Sequence, residues 1–286
     1  MNKDFAIFIM VYGRPEKNWT YKLLRKAGYT GKIYLVGDDL DKTINDYKKK
    51  YGDELIIFDK KKAALNVDTG DNTGDFRSTL FSSTKIFDLA KERGIKYFFI
   101  MCDDYTEFNY RFDNELNYVT NKYVKNLDSI FKSMVSFMQS NKQVSSIAMA
   151  QTGDFIGGEA GSMTSKGGIV VKRKVMNTFL CSVDRAFKFM GRLNEDITTY
   201  VNLGSKGLLF MTIPLLAINQ KDTQSAKGGL TEVYLKYGTY VKSFFSVMYN
   251  PSSVKINLMG ESKKRLHHRV SWNNAVPKIL NEQYKK

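Results

Sequence analysis

Tyr97–Cys102, YFFIMC, is apolar at every position and stops against two carboxylates, Asp103 and Asp104. Six apolar residues make one strand, and apolarity on both of its alternating faces suits a strand covered by helices on either side. Phe5–Tyr12 reads the same way and ends at Gly13-Arg14-Pro15, where the proline blocks continuation. Between them lie a helix over 18–26, a strand over 32–36 closed by Gly37-Asp38-Asp39, a charged exposed helix over 41–51 and a short strand over 55–58. A polar loop over 66–75 then leads into an amphipathic helix over 76–93, which Gly94 terminates. Strands alternating with helices imply right-handed βαβ units, hence an α/β fold of Rossmann type with a mostly parallel sheet. Ligands of such sheets bind at the C-terminal strand ends, which here carry Arg14, Asp38, Asp103 and Asp104.

Beyond Asp113 the pattern loosens. We expect a helix over 122–141, a strand over 144–150, a Gly-rich stretch over 153–168, a strand over 169–171, a short helix over 176–180, a helix over 194–203 and a strand over 208–213. An amide-rich loop over 219–234 follows Pro214 and contains Gln220 and Gln224. No internal repeat interrupts this order.

Of the 286 residues 43% are hydrophobic and 26% charged, a globular composition, and no stretch approaches the roughly 20 apolar residues of a membrane span. The N-terminal MNKDFAIFIMVYG mimics a signal peptide but lacks a small-residue cleavage site, so a strand is expected there. Two cysteines, Cys102 and Cys181, make no disulfide framework and point to a reducing, cytoplasmic setting. The two histidines, His267 and His268, are adjacent in a basic tail, so a His-led zinc site or a Ser-His-Asp triad would have to be built there. A net charge of +15 favours polyanions, nucleic acid first among them. The alternative is compositional bias, with Lys48–Lys50 and Lys60–Lys62 as solvated faces. The sequence names no protein partner.

Adjacent carboxylates repel, and a divalent oxygen-seeking cation, Mg²⁺ or Mn²⁺, resolves the repulsion at Asp103 and Asp104 while bridging a diphosphate. The bland counterpart is an exposed turn or helix cap. Arg77, placed in the first turn of its helix, would reach phosphates, or else form a surface salt bridge. Glu195 and Asp196 open a helix where either could act as a general base, or simply complement the helix dipole. The amides near Gln220 and Gln224 suit sugar hydroxyls, phosphates or base edges, although a polar loop would look the same. The aromatic and basic residues of YLKYGTYVKSFF, 234–245, fit an amphipathic core element better than a stacking surface for nucleic acid.

In this order the pieces resemble the GT-A glycosyltransferases. Val11–Pro15 stands for the opening strand end, with Val11, Tyr12 and Arg14 against the nucleotide; Asp38-Asp39 stands for the acid after the second strand, Arg77 for the helix-borne arginine, and Cys102-Asp103-Asp104 for the DxD motif. Asn194-Glu195-Asp196 looks like the family's acidic motif, whose carboxylate is the base in inverting members. The resemblance runs from about residue 5 to 214, and Cys102 departs from it where the first Asp of DxD belongs. GRLNEDITTYV, INQKDTQSAKGG and GTYVKSFFSVM are further similar to phage and TET-associated glycosyltransferases, proposed to modify hydroxymethylated pyrimidines in DNA. The resemblance implies one GT-A-like domain over 1–286, with a nucleotide-sugar half (1–113) and an acceptor half (114–286) ending in a basic tail. It further implies a UDP-sugar donor, a divalent metal on Asp103 and Asp104, DNA with hydroxymethylated bases as acceptor, and the host-cell cytoplasm for a phage-encoded enzyme. Rivals are a glycosyltransferase acting on polysaccharide, protein or lipid, a sugar nucleotidyltransferase, and a non-catalytic DNA-binding module. The second normally has a Gly-rich, Lys-containing phosphate loop, absent after Phe5–Tyr12.

Overall fold

The computed structural model describes residues 3–155, 171–172, 178–221, 230–260, 264–279 and 282. In its first half, β1 (Phe5–Met10), α1 (Trp19–Lys26), β2 (Lys32–Asp38), α2 (Ile44–Tyr51), β3 (Leu55–Phe58), α3 (Lys60–Ala64), α4 (Leu80–Glu92) and β4 (Tyr97–Cys102) follow in order. The strands lie as β3-β2-β1-β4, all parallel, with Met10 beside Val36 on one flank and Cys102 on the other. The unbroken apolar runs have the expected cause. Phe5, Ile7 and Ile9 of β1 join Phe99 and Met101 in a core under α1 and α2, whereas Ala6, Phe8 and Met10 join Phe98 and Ile100 under α4.

The second half is mixed, as expected, but its strands differ from the reading. β5 (Tyr105–Phe112) and β6 (Tyr118–Tyr123) form an antiparallel pair, so the helix expected from residue 122 begins later, as α5 (Leu127–Ser140). β7 (Val144–Gln151) is in place. β8 (Phe179–Ser182) is a strand where the end of a short helix was expected, because Phe179 and Leu180 pair with Ile100 and Phe99 of β4. After α6 (Glu195–Ser205), β9 (Leu209–Gln220) runs well past Pro214. Its partners shift from Ile213↔Met149 to Ala217↔Ala150, a bulge that takes the proline out of the ladder and lets a central strand continue. Among the described residues the sheet has nine strands, β3-β2-β1-β4-β8-β7-β9-β5-β6. Residues 156–170, 173–177 and 222–229 lie outside the described residues, and with them most of the Gly-rich stretch, the 169–171 strand, part of the 176–180 helix, and Gln224.

The 234–245 segment is helical, as α7 (Thr231–Tyr237) and α8 (Val241–Tyr249), with Val233, Tyr234 and Phe245 buried around Leu193. It is the amphipathic core element that its spacing favoured. The chain closes with an antiparallel ribbon, β10 (Val254–Met259) and β11 (Arg265–Val270), and a short α9 (Trp272–Ala275). α9 seats on α6 through the Tyr200–Trp272 stack, 5.9 Å between ring centres. At Gly204 a Cβ would stand 2.2 Å from the Ala275 carbonyl oxygen. Gly204→Ala therefore lowers stability despite the better helix propensity of alanine, by about 1–3 kcal/mol, measurable by urea unfolding.

Candidate active site

The registers bring one set of side chains to one edge. Val11–Arg14 leave β1, Asp38 ends β2, Asp103 and Asp104 leave β4, and Gln151 and Gln220 end β7 and β9. The turn after β1 is built from below. Gly13, at φ 71°, donates its N–H to Asp41 (2.8 Å), and Arg14 donates its N–H to the Tyr47 hydroxyl (3.1 Å). That aims the Arg14 guanidinium at Asp103, which accepts Nε (2.8 Å) and Nη2 (2.6 Å) in a bidentate pair. The two acids were expected to rest on hydration or a cation. Instead Arg14 compensates Asp103, which is 2% exposed. Burial nonetheless pushes its carboxyl up to about 6, against the opposing pull of Arg14.

Thr20 locks the turn after β4. Its hydroxyl donates to the Cys102 carbonyl (2.7 Å) and accepts from the Tyr105 N–H (2.9 Å), while the Trp19 and Thr20 N–H groups donate to the Asp103 carbonyl. Asp104 is half-buried, and burial raises its carboxyl. Its Oδ1 accepts from Gln220 Nε2 (2.9 Å), whose Oε1 accepts in turn from Gln151 (3.2 Å). Among the described residues the expected amide contribution comes from Gln220, at the end of β9. A register shift between Tyr105 and Glu107 lies directly beside Asp104.

Asp38, 2% exposed, receives Lys60 Nζ at 2.9 Å. Lys60 is itself buried and also lies 4.9 Å from the Tyr12 ring centre, so the reading of Lys60 as part of a solvated face is wrong. Burial, then Asp38, raises the Tyr12 phenol. Val11 is buried and donates its N–H to Val36, so it supports the edge from within.

Arg77 is not in a helix. The Asp75 carboxylate captures its N–H (3.0 Å) and its guanidinium (2.9 and 2.6 Å), the Ser78 hydroxyl accepts from the Leu80 N–H, and α4 starts only at Leu80. Hydrogen bonds from Arg77 hold Asp75 down at about 2. Glu232 of α7 takes a further guanidinium N–H of Arg77 at 3.3 Å.

Glu195 and Asp196 form the first turn of α6, entered through Asn194 in the left-handed region at φ 60°. The Thr79 hydroxyl donates to Glu195 Oε1. Burial, then the neighbouring Asp196, pushes Glu195 up to about 7, and the Thr79 bond opposes this. Asp104 and Glu195 both act electrostatically to raise the Cys102 thiol, after the larger effect of burial. Asp196 turns inward on its own helix, accepting from the Ile197 N–H (2.7 Å).

Several of these groups escaped the sequence reading. Arg192, 3% exposed, grips Asp71 (2.8 Å from Nε) and stands 3.9 Å from Asp75, tying the Arg77 loop to the entry of α6. Lys60 was hidden in a run of three lysines, although its place two residues beyond a strand end was a usable signal. Thr20, Thr79 and Gln151 carried none.

A divalent cation of the Mg²⁺ type takes one or two carboxylates and completes its shell from phosphate and water. Asp104 fits that role, because its Oδ2 accepts no hydrogen bond from a described residue. Asp103 fits it only if Arg14 lets go. Among the described residues no group of three His, Cys, Asp or Glu side chains could hold a metal.

An α/β sheet gathering acids, arginines and amides at its C-terminal strand ends places a polar site where ligands of such folds bind. A model of the TET-associated glycosyltransferases matches residues 5–229, and the chain belongs to that family. The expectation of a glycosyltransferase is borne out. A 93-residue segment is 30% identical to the baseplate tail-tube junction protein gp54 of Enterobacteria phage T4, covering 31% of this chain and 28% of that protein, so the chain spans about a quarter of that relative's length. Among solved structures, S. aureus TarS 1–349 in complex with UDP is similar over 87% of this chain and 65% of its own, at 12% identity and a TM-score of 0.48. Glucosyl-3-phosphoglycerate synthase from Mycobacterium tuberculosis, in complex with Mn²⁺, UDP and phosphoglyceric acid, is similar over 94% and 87%, at 7% identity and 0.45. Among the described residues no helix is long and apolar enough to cross a membrane.

Because Thr20 satisfies two buried backbone groups, Thr20→Val, which keeps the shape, costs about 2–4 kcal/mol in chemical unfolding, whereas Thr20→Ser costs about 1 or less.

Proposed function

We propose that this glycosyltransferase moves a sugar from a nucleotide sugar, a UDP-sugar, to the hydroxymethyl group of a modified pyrimidine in DNA. The observation that carries the reading is the division of the edge acids. Asp38, Asp75 and Asp103 each hold a cation, while Asp104 and Glu195 form no ion pair among the described residues. An acid kept free of cations and raised to about 7 suits proton transfer at neutral pH.

In this reading residues 1–113 hold the donor and 114–286 the acceptor. Tyr12, Asp38 and Lys60 line the base and ribose side, with Val11 supporting them from within. Arg77 and Arg14 face the diphosphate, Arg77 exchanging its Asp75 and Glu232 partners for phosphate oxygens. Asp104, with Asp103 behind it, would hold a divalent metal, which when bound neutralises charge on the leaving diphosphate. Glu195 takes the proton of the acceptor hydroxyl as its oxygen bonds to the sugar C1. The C1–O bond to the diphosphate breaks and UDP leaves. Asp196 holds the helix entry, while Gln220 orients Asp104, and Gln224 would add its amide on the acceptor side. The net charge of +15 supports a polyanionic acceptor, and a base in duplex DNA would be flipped out to reach Glu195. A cytoplasmic setting, that of the host cell for a phage-encoded enzyme, is consistent with both substrates.

The deciding experiment is nucleoside mass spectrometry of hydroxymethylcytosine and hydroxymethyluracil DNA after incubation with a panel of nucleotide sugars. A hexose or pentose mass on one of the bases is expected; release of UDP only with a polysaccharide, protein or lipid acceptor would reject DNA. Glu195→Gln lowers kcat by about 10²–10⁴ with little change in donor KM. Asp104→Ala abolishes turnover, and full activity in that variant would remove the metal assignment. The base must be ionised, so kcat/KM rises with pH through a midpoint of about 7. Thr79→Val removes a bond that favours the carboxylate and moves that midpoint to higher pH.

A further inference from the structure

The β10–β11 ribbon lies wholly beyond residue 229, where the match to the family ends. It is rooted at the site all the same. Val254 is 1% exposed in the core beneath α6, and His268 Nδ1 stands 3.3 Å from the Asn194 amide, one residue from Glu195. Outward from that root the ribbon carries Lys255, Lys264, Arg265 and Arg269, all exposed, and no acidic residue among its described positions. None of the four pairs with a carboxylate among the described residues, in contrast to Arg14, Lys60, Arg77 and Arg192. Lys255 lies directly opposite Arg269, an arrangement that weakens a strand pair in isolation. Like charges kept in register on a two-stranded ribbon fit a polyanion that neutralises both.

We infer that the β10–β11 ribbon is a duplex-DNA arm, laying Lys255, Arg265 and Arg269 against the phosphates of a groove while its root holds the flipped base near Glu195. A two-stranded antiparallel ribbon has the cross-section that the major groove admits. The inference rests on the DNA acceptor proposed above and names the surface that binds it. Exposed Leu258, Met259 and Leu266 near the far end would equally suit a lipid surface, but the unpaired cations on both strands favour phosphates along a duplex.

The test compares the full chain with K255S/R265S/R269S and with K42S/K48S/K49S, which removes the same charge from exposed positions around α2. Anisotropy of a fluorescein-labelled hydroxymethylcytosine duplex is read across a salt series. The ribbon variant is expected to raise Kd at least roughly tenfold and to lower the log Kd against log salt slope by about 2–3, while the α2 variant stays within about threefold. Unchanged thermal melting and UDP-sugar hydrolysis show that the ribbon variant is folded. Should the triple variant not fold, Arg265→Gln at the far end of the ribbon is expected to lower the slope by about 1; an unchanged slope overturns the arm. Wild-type DNA affinity in the ribbon variant overturns the arm and leaves the acceptor standing. Equal losses in both triples assign the effect to net charge and also overturn it. Failure of the wild type to bind any duplex at low salt sinks the DNA acceptor, and the arm with it. Ribbon-dependent binding to anionic-lipid vesicles or to duplex RNA as strong as to DNA overturns the assignment of the partner.

Discussion

The pair between Arg14 and Asp103 is the constraint on which the edge depends. A carboxylate 2% exposed costs several kcal/mol unless its charge is met, and here one guanidinium meets both oxygens. To deliver that guanidinium the chain needs the Gly13 turn, and the turn needs Asp41 and Tyr47 from the next βα connection. To deliver the carboxylate it needs Thr20 and the first N–H groups of α1. The loops after β1, β2 and β4 are thereby fastened to one another, and the backbone of Asp104 has little freedom left.

The same logic sorts the remaining charges. Lys60 answers Asp38, Arg77 answers Asp75, and Arg192 answers Asp71, each with side chains that leave little of the pair to water. Among the described residues the Gln220 amide is the side chain hydrogen-bonded to Asp104, with Arg14 acting on it through space, and a hydroxyl is bonded to Glu195. Neutral donors hold a carboxylate in place with less effect on its proton affinity than a cation would have. A site that must bind a phosphorylated donor and also move a proton benefits from both kinds of support within one edge.

The first half of the fold was legible because its strands are buried on both faces and its turns carry Gly and Pro, signals that are local. The second half was less so. β5 and β6 mix polar and aromatic residues and gain their identity from pairing with β9 and with each other, contacts that no window of sequence contains. Pro214 read as an end because a proline normally breaks a central strand, and the bulge that accommodates it depends on β7. Asp103, Asp104, Asp38 and Glu195 were singled out from strand and helix ends. Their partners were not, since Arg14–Asp103 joins residues 89 apart and Thr79–Glu195 joins residues 116 apart. Arg77 was placed one turn too far into its helix because Asp75, an ordinary loop residue by composition, binds it more tightly than a helix would.

The family likeness ends near residue 229, yet the fold does not divide there. Val254 and Ala275 fill the core beneath α6, and Ser246 and His268 hold the left-handed Asn194 from which that helix starts. Residues on both sides of that limit therefore pack into one core. A graft that swapped the last fifty or so residues between relatives would exchange not an appendage but part of the floor on which Glu195 stands.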